Sequence, residues 1–183
     1  MWEDKDIEKV LVAEEELRAR TIELAAQITE DYKNADKPPI LVALLLGAVP
    51  FLSDLMRYID LDIQYDFMDV TSYVGSESTG DIKILRDLNR SIVDENILVV
   101  EDIVDTGATL KKIVETLYNK GAKDVKIVSL LDKPSRREKN IHADYVGFEV
   151  PNEFVVGFGL DYNQHYRGLR YIGALKRSVY EKE

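Results

Sequence analysis

The stretch Ile97-Leu98-Val99-Val100-Glu101-Asp102-Ile103-Val104-Asp105-Thr106-Gly107-Ala108-Thr109 restricts this chain more than any other. An apolar run meets two adjacent acids, and a third acid then opens a turn of small residues. Leu110, Ile113, Val114, Leu117 and Tyr118 recur at helical spacing, and Gly121 offers a stop. A buried strand, a polar loop and a helix start in one piece form an anion cradle. The N–H groups of Asp105 to Thr109 and the positive end of the helix dipole favour a phosphate there. Three carboxylates at the rim suit ribose hydroxyls or Mg²⁺, which prefers oxygen ligands. The plainer alternative is a βα unit whose Asp or Thr only caps a helix.

With 183 residues the chain is read as one domain, 1–183, able to bury a core without staples. It has no cysteine, which excludes disulfides, thiolate catalysis and zinc–thiolate sites. A net charge of −10 argues against nonspecific nucleic-acid binding, and a site for a polyanion must then rely on Mg²⁺ and local dipoles. No apolar run matches a bilayer, and Met1-Trp2-Glu3-Asp4-Lys5 lacks a signal-peptide pattern, so no membrane partner and a cytoplasmic location are expected.

Along the chain, Ile7 to Val12 reads as a short strand and Glu14 to Tyr32 as a helix with acids in its first turn. Ile40 to Leu46 is a continuous apolar run, the mark of a central parallel strand; Gly47-Ala48 turns, and Val49 to Tyr58 reads as a helix. Leu61 to Ser72 and Ile82 to Leu85 read as strands around a small, polar segment that is either a hairpin loop or a lid. Val125 to Leu131 is another strand. Ser135 to Asn140 reads as a solvated charged loop, residues 145–150, 154–158 and 169–175 as short strands, and the tail as charged. Such alternation predicts an α/β fold with right-handed crossovers, and ligands beyond the carboxyl ends of the strands. Gly47, Asp102, Asp105, Lys133 and Asp161 all follow apolar runs, so one crevice is expected to hold them. No P-loop occurs, Gly157-Phe158-Gly159 lacks the rest of a dinucleotide fingerprint, and His142 and His165 lack a metal-site spacing.

The central stretch resembles the phosphoribosyl-diphosphate (PRPP) signature of type I phosphoribosyltransferases. Over nearly its full length the chain resembles bacterial hypoxanthine-guanine phosphoribosyltransferases: Gly47 to Phe51, Ser72-Tyr73 with Gly80 to Ile84, Glu101 to Thr109, Lys133-Pro134, Tyr145 to Pro151 and Phe154 to Arg167 carry the likeness. The resemblance implies the type I phosphoribosyltransferase fold: a central twisted, mainly parallel sheet flanked by helices, with a small hood made from the chain termini. The implied reaction joins Mg·PRPP to hypoxanthine or guanine, giving IMP or GMP and pyrophosphate, in homodimers or homotetramers.

Carried over by the resemblance, Asp105 handles the proton at purine N7, and Asp105, Thr106, Gly107, Ala108 and Thr109 hold the 5′-phosphate. Glu101 and Asp102 meet the ribose hydroxyls and Mg²⁺, and Asp161 helps place a second Mg²⁺. Lys133 reads the 6-oxo group, Phe154 stacks on the base, and the Val155 backbone meets its edge. Leu46, Gly47 and Arg167 face pyrophosphate, and Ser72 and Tyr73 belong to a lid. One departure stands out: the family's loop commonly reads Leu-Lys-Gly-Ser or Leu-Lys-Gly-Gly, whereas here it is Leu45-Leu46-Gly47-Ala48, without the lysine. The family often has a non-proline cis peptide in this loop. A xanthine- or pyrimidine-preferring sister enzyme and a non-catalytic regulator of the same fold are the alternatives.

Overall fold

The computed structural model describes residues 5–72 and 82–181. Its organising elements are the two continuous apolar strands, β2 (Ile40–Leu44) and β5 (Asn96–Val104). Successive side chains in a strand point to opposite faces, so each run serves two cores at once. Leu41, Ala43, Leu98 and Val100 face one cluster; Ile40, Val42, Ile97 and Val99 face the other. The first cluster is closed by α1 (Glu14–Tyr32) and α2 (Val49–Tyr58), the second by α3 (Ala108–Asn119). Both faces of the sheet are thereby covered, as parallel strands require.

Six strands make this sheet, with β3 (Gln64–Ser72), β4 (Ile82–Arg86), β6 (Asp124–Asp132) and β7 (Tyr145–Glu149) in the order β4-β3-β2-β5-β6-β7. All pairs are parallel except β3 with β4. A second sheet, in the order β1-β9-β8, joins β1 (Ile7–Val12), β9 (Ile172–Leu175) and β8 (Val155–Val156). It is the hood of the chain termini, with Ile7, Val156, Tyr166, Leu169 and Leu175 at its core. Among the described residues no helix is long and apolar enough to cross a membrane.

Several expected boundaries are corrected. The 40–46 run stays in the sheet only to Leu44: Leu46 is 53% exposed, and the Leu45–Leu46 peptide is cis. The strand expected from Leu61 starts at Gln64, and the segments 154–158 and 169–175 shrink to β8 and β9. Around them, Gly157 bridges Leu160 and the Leu169 N–H donates to the Tyr166 carbonyl, turns that apolar content alone does not reveal. The charged tail contains a further short helix, α4 (Arg177–Tyr180).

Candidate active site

β5 pairs with β2 only as far as Val100 opposite Ala43, whereas its pairing with β6 continues to Val104 opposite Asp132. Glu101 and Asp102 therefore lie within the strand rather than after it, on an edge that β2 has vacated. Being neighbours in a strand, they face opposite ways. Glu101 borders the cavity of the following loop, while Asp102 packs on Gly47 so closely that a Cβ there would lie 1.5 Å from Asp102 Oδ2. Burial among protein atoms pushes the Glu101 carboxyl well above the usual range, aided by the Asp102 charge. Burial also pushes Asp102 up to about 6, against its backbone hydrogen bond from Ile103 and the Arg167 charge.

After β5 the chain forms a loop around a cavity of about 120 Å³, bordered by Asp105, Thr106, Gly107, Ala108 and Thr109. The residue before α3 is Gly107, which has no side chain to cap the helix; the Ala108 N–H meets the Thr106 hydroxyl at 3.4 Å, and the helix start borders the loop cavity. Gly107 has φ +80°, and an added Cβ would come within 2.6 Å of the Ile141 side chain. The segment read from sequence as a solvated charged loop is exposed as expected at Ser135, Arg136 and Glu138 to Asn140, but Arg137 turns inward against the loop. Arg137 is largely buried, ion-paired to Asp132, and donates to the Asp105 carbonyl at 3.1 Å. The Glu138 and Lys139 N–H groups donate to the Thr106 carbonyl. A 3₁₀ turn at Pro134–Arg136, just after β6, folds these residues back under the loop.

A larger cavity of about 320 Å³ lies alongside, bordered by Ile103, Asp105, Lys133, Arg136, Phe154 and Val155. Lys133 is buried, its Nζ donates to the Glu153 carbonyl at 2.9 Å, and desolvation lowers its pKa against the pull of Asp105. Arg136 Nε stands 3.0 Å from Asp105 Oδ1, yet off the hydrogen-bonding line, so that buried oxygen has no donor. Phe154 is 37% exposed. Arg136 was missed by sequence reasoning; its one signal is its place just beyond Lys133-Pro134, where a turn returns the chain to the strand ends.

On the Gly47 side the hood contributes. A Cβ on Gly159 would collide with the Gly47 carbonyl at 1.9 Å, so the two loops touch through glycines. Arg167 donates to the Gly159 carbonyl at 2.7 Å and pairs with Asp161 at 2.9 Å. Asp102, Asp161 and Arg167 are close enough to influence one another electrostatically. Asp161 thus arrives from the hood loop after β8, not from a strand of the main sheet. Ser72 is the last residue of β3; Tyr73 lies outside the described residues. Asp102 and Asp161 bring carboxylate oxygens, the hard donors that Mg²⁺ prefers, within electrostatic reach of each other. Among the described residues no three acidic or histidine side chains cluster into a metal site.

The arrangement defines a class of protein: a parallel α/β sheet with a strand–loop–helix around one cavity, an acidic strand edge, and a larger neighbouring cavity lined by Lys133 and Phe154. The sequence matches the phosphoribosyl transferase domain family over residues 11–163, and the chain belongs to that family. It is similar to a hypoxanthine-guanine phosphoribosyltransferase of Bacillus subtilis, with 51% identity covering 96% of this chain and 97% of the relative. It is also 49% identical, over 97% of its length, to part of a Listeria monocytogenes bifunctional protein TilS/HprT, of which it covers 27%. A crystal structure of a hypoxanthine phosphoribosyltransferase from Staphylococcus aureus superposes with a TM-score of 0.94 at 47% identity, covering 100% of this chain and 98% of the other.

Proposed function

We propose that the chain, acting as one domain, is a purine-salvage enzyme that transfers the 5-phosphoribosyl group of PRPP to hypoxanthine and guanine. Relatives of that activity at about half identity over nearly the full length support the reading. The observation that carries it is the donor-less Asp105 Oδ1 in the same cavity as buried Lys133. A 6-oxopurine offers a partner to each: N7–H for the carboxylate, and an oxygen for the ammonium hydrogens that the Glu153 carbonyl does not take. Adenine presents an amino group to Lys133 instead, pairing donor with donor, a mismatch that leaves buried polar groups unpaired.

The 5′-phosphate sits in the 105–109 loop, where the start of α3 and the loop amides serve its oxygens. Glu101 and Asp102 border the ribose. Phe154 stacks on the base, and Val155 lines its edge. The purine N9 forms a bond to ribose C1′ as the C1′–oxygen bond to pyrophosphate breaks, and the N7 proton passes to Asp105. Arg167 and the Gly47 backbone take up charge that develops on pyrophosphate. Glu101, Asp102 and Asp161 would hold Mg²⁺, which would supply positive charge toward the leaving pyrophosphate.

Incubating the protein with Mg²⁺, PRPP and each base in turn tests the proposal. IMP and GMP are expected, with little AMP. XMP as the main product points to the xanthine-preferring alternative, and no nucleotide at all to a regulator. Light scattering on the same sample distinguishes the homodimer or homotetramer proposed here from a monomer.

A further inference from the structure

The charged tail is not a loose end. Tyr180, the last residue of α4, stacks on Phe154 with ring centroids 5.0 Å apart and planes 29° from parallel. Phe154 also meets Tyr162 at 5.4 Å and 88°, so one tyrosine from α4 and one from the hood loop hold one ring. Tyr180 borders the base cavity beside Phe154. It borders at the same time a second cleft of about 250 Å³, shared with Glu8, Lys9 and Arg177. Its ring is a partition between the two. The helix that carries it is anchored: the Lys176 N–H donates to the Asp6 carbonyl at 2.9 Å, Lys176 Nζ to the Lys5 carbonyl at 2.6 Å, and Val179 packs on the hood core.

We propose that Tyr180 is a positioning residue for the purine: it holds Phe154 in place, walls the base cavity off from the neighbouring cleft, and so sets affinity for the base. This rests on the purine reading above. An exposed aromatic ring that must be ordered by its ligand binds it more weakly than one already fixed, because the ordering is then subtracted from the interaction. Stacked rings prefer an offset geometry of this kind, and their loss has a modest, measurable effect. The tail therefore ties base affinity to the pairing of the two chain termini in the hood.

Steady-state kinetics of Tyr180→Ala and Tyr180→Phe test the assignment. Tyr180→Ala is expected to raise the hypoxanthine KM about 3- to 10-fold, with the PRPP KM within about twofold of wild type. Tyr180→Phe restores the base KM, since the ring and not the hydroxyl is required. An unchanged hypoxanthine KM in a Tyr180→Ala protein of normal Tm overturns the proposal. So does a lowered one, which makes Tyr180 a plug rather than a wall. Should the alanine variant not fold, Trp2→Phe with Tyr180→Trp places the only tryptophan at this site. GMP is expected to change its fluorescence, and no change at saturating GMP refutes the placement. A wild-type protein that forms no nucleotide instead refutes the underlying functional reading, so the two failures are distinguishable.

Discussion

Asp105 is held by its surroundings without being satisfied by them. Its carbonyl is fixed by Arg137, and Arg136 lies beside its carboxylate, but Oδ1 keeps no hydrogen-bond donor. A carboxylate left in that condition is suited to accept a proton from a ligand. Asp105→Asn is expected to lower kcat by about 10²–10⁴, with circular dichroism unchanged, because the amide keeps the shape and loses the basicity. A near-normal rate removes Asp105 from the mechanism. Leu46 raises the opposite question, that of a side chain lacking charge where the family commonly has lysine. Because position 46 is exposed, water screens a charge there, and Leu46→Lys is expected to lower the PRPP KM by only about 2- to 5-fold. No improvement means that backbone amides, not a missing charge, determine binding in this loop.

At the scale of elements, the site depends on where strands end. β2 stops at Leu44 and β5 continues to Val104, and this offset exposes the acidic edge between them. The apolar runs show that both strands exist and are buried, since only a strand covered on two faces tolerates such composition. They do not show the offset, because Leu45 and Leu46 are as apolar as the residues before them. The strand–loop–helix is legible for a different reason: Asp-Thr-Gly-Ala-Thr before an amphipathic run has a local cause, a turn of small residues that starts a helix. Gly107 is the residue most exposed to test. Any side chain there meets both a positive φ and the Ile141 side chain, so Gly107→Ala is expected to cost about 1–2 kcal/mol of stability. A PRPP KM raised at least tenfold should accompany it, whereas a change in Tm alone marks Gly107 as structural only.

For the whole molecule, Lys133 shows function set against stability. Burial lowers its pKa below 10.5, so the charged form destabilises the folded chain. The unfolded chain binds the extra proton between the two pKa values, and stability from this group rises with pH across that window. Lys133→Met is therefore expected to have a Tm equal to or above wild type at pH 7, with the gap narrowing toward pH 10.5, while IMP formation falls at least about 100-fold. A Tm well below wild type at pH 7 means that the bond to Glu153 outweighs the desolvation. The same tension runs through Glu101 and Asp102, where burial pushes both carboxyls up and so disfavours their charged forms.

The sequence by itself determined the parallel α/β class, the strand–loop–helix cradle and the residue types of the chemistry, because each is written within a short stretch. Periodicity, turn residues and a continuous motif act locally. Only the tertiary structure decided that Asp161 and Arg167 reach the cleft from the hood, that Arg136 and Arg137 support Asp105, and that Tyr180 stacks on Phe154. Those contacts join residues far apart in the chain. They depend on how two sheets pack and where their strands stop, and neither leaves a local pattern in the sequence.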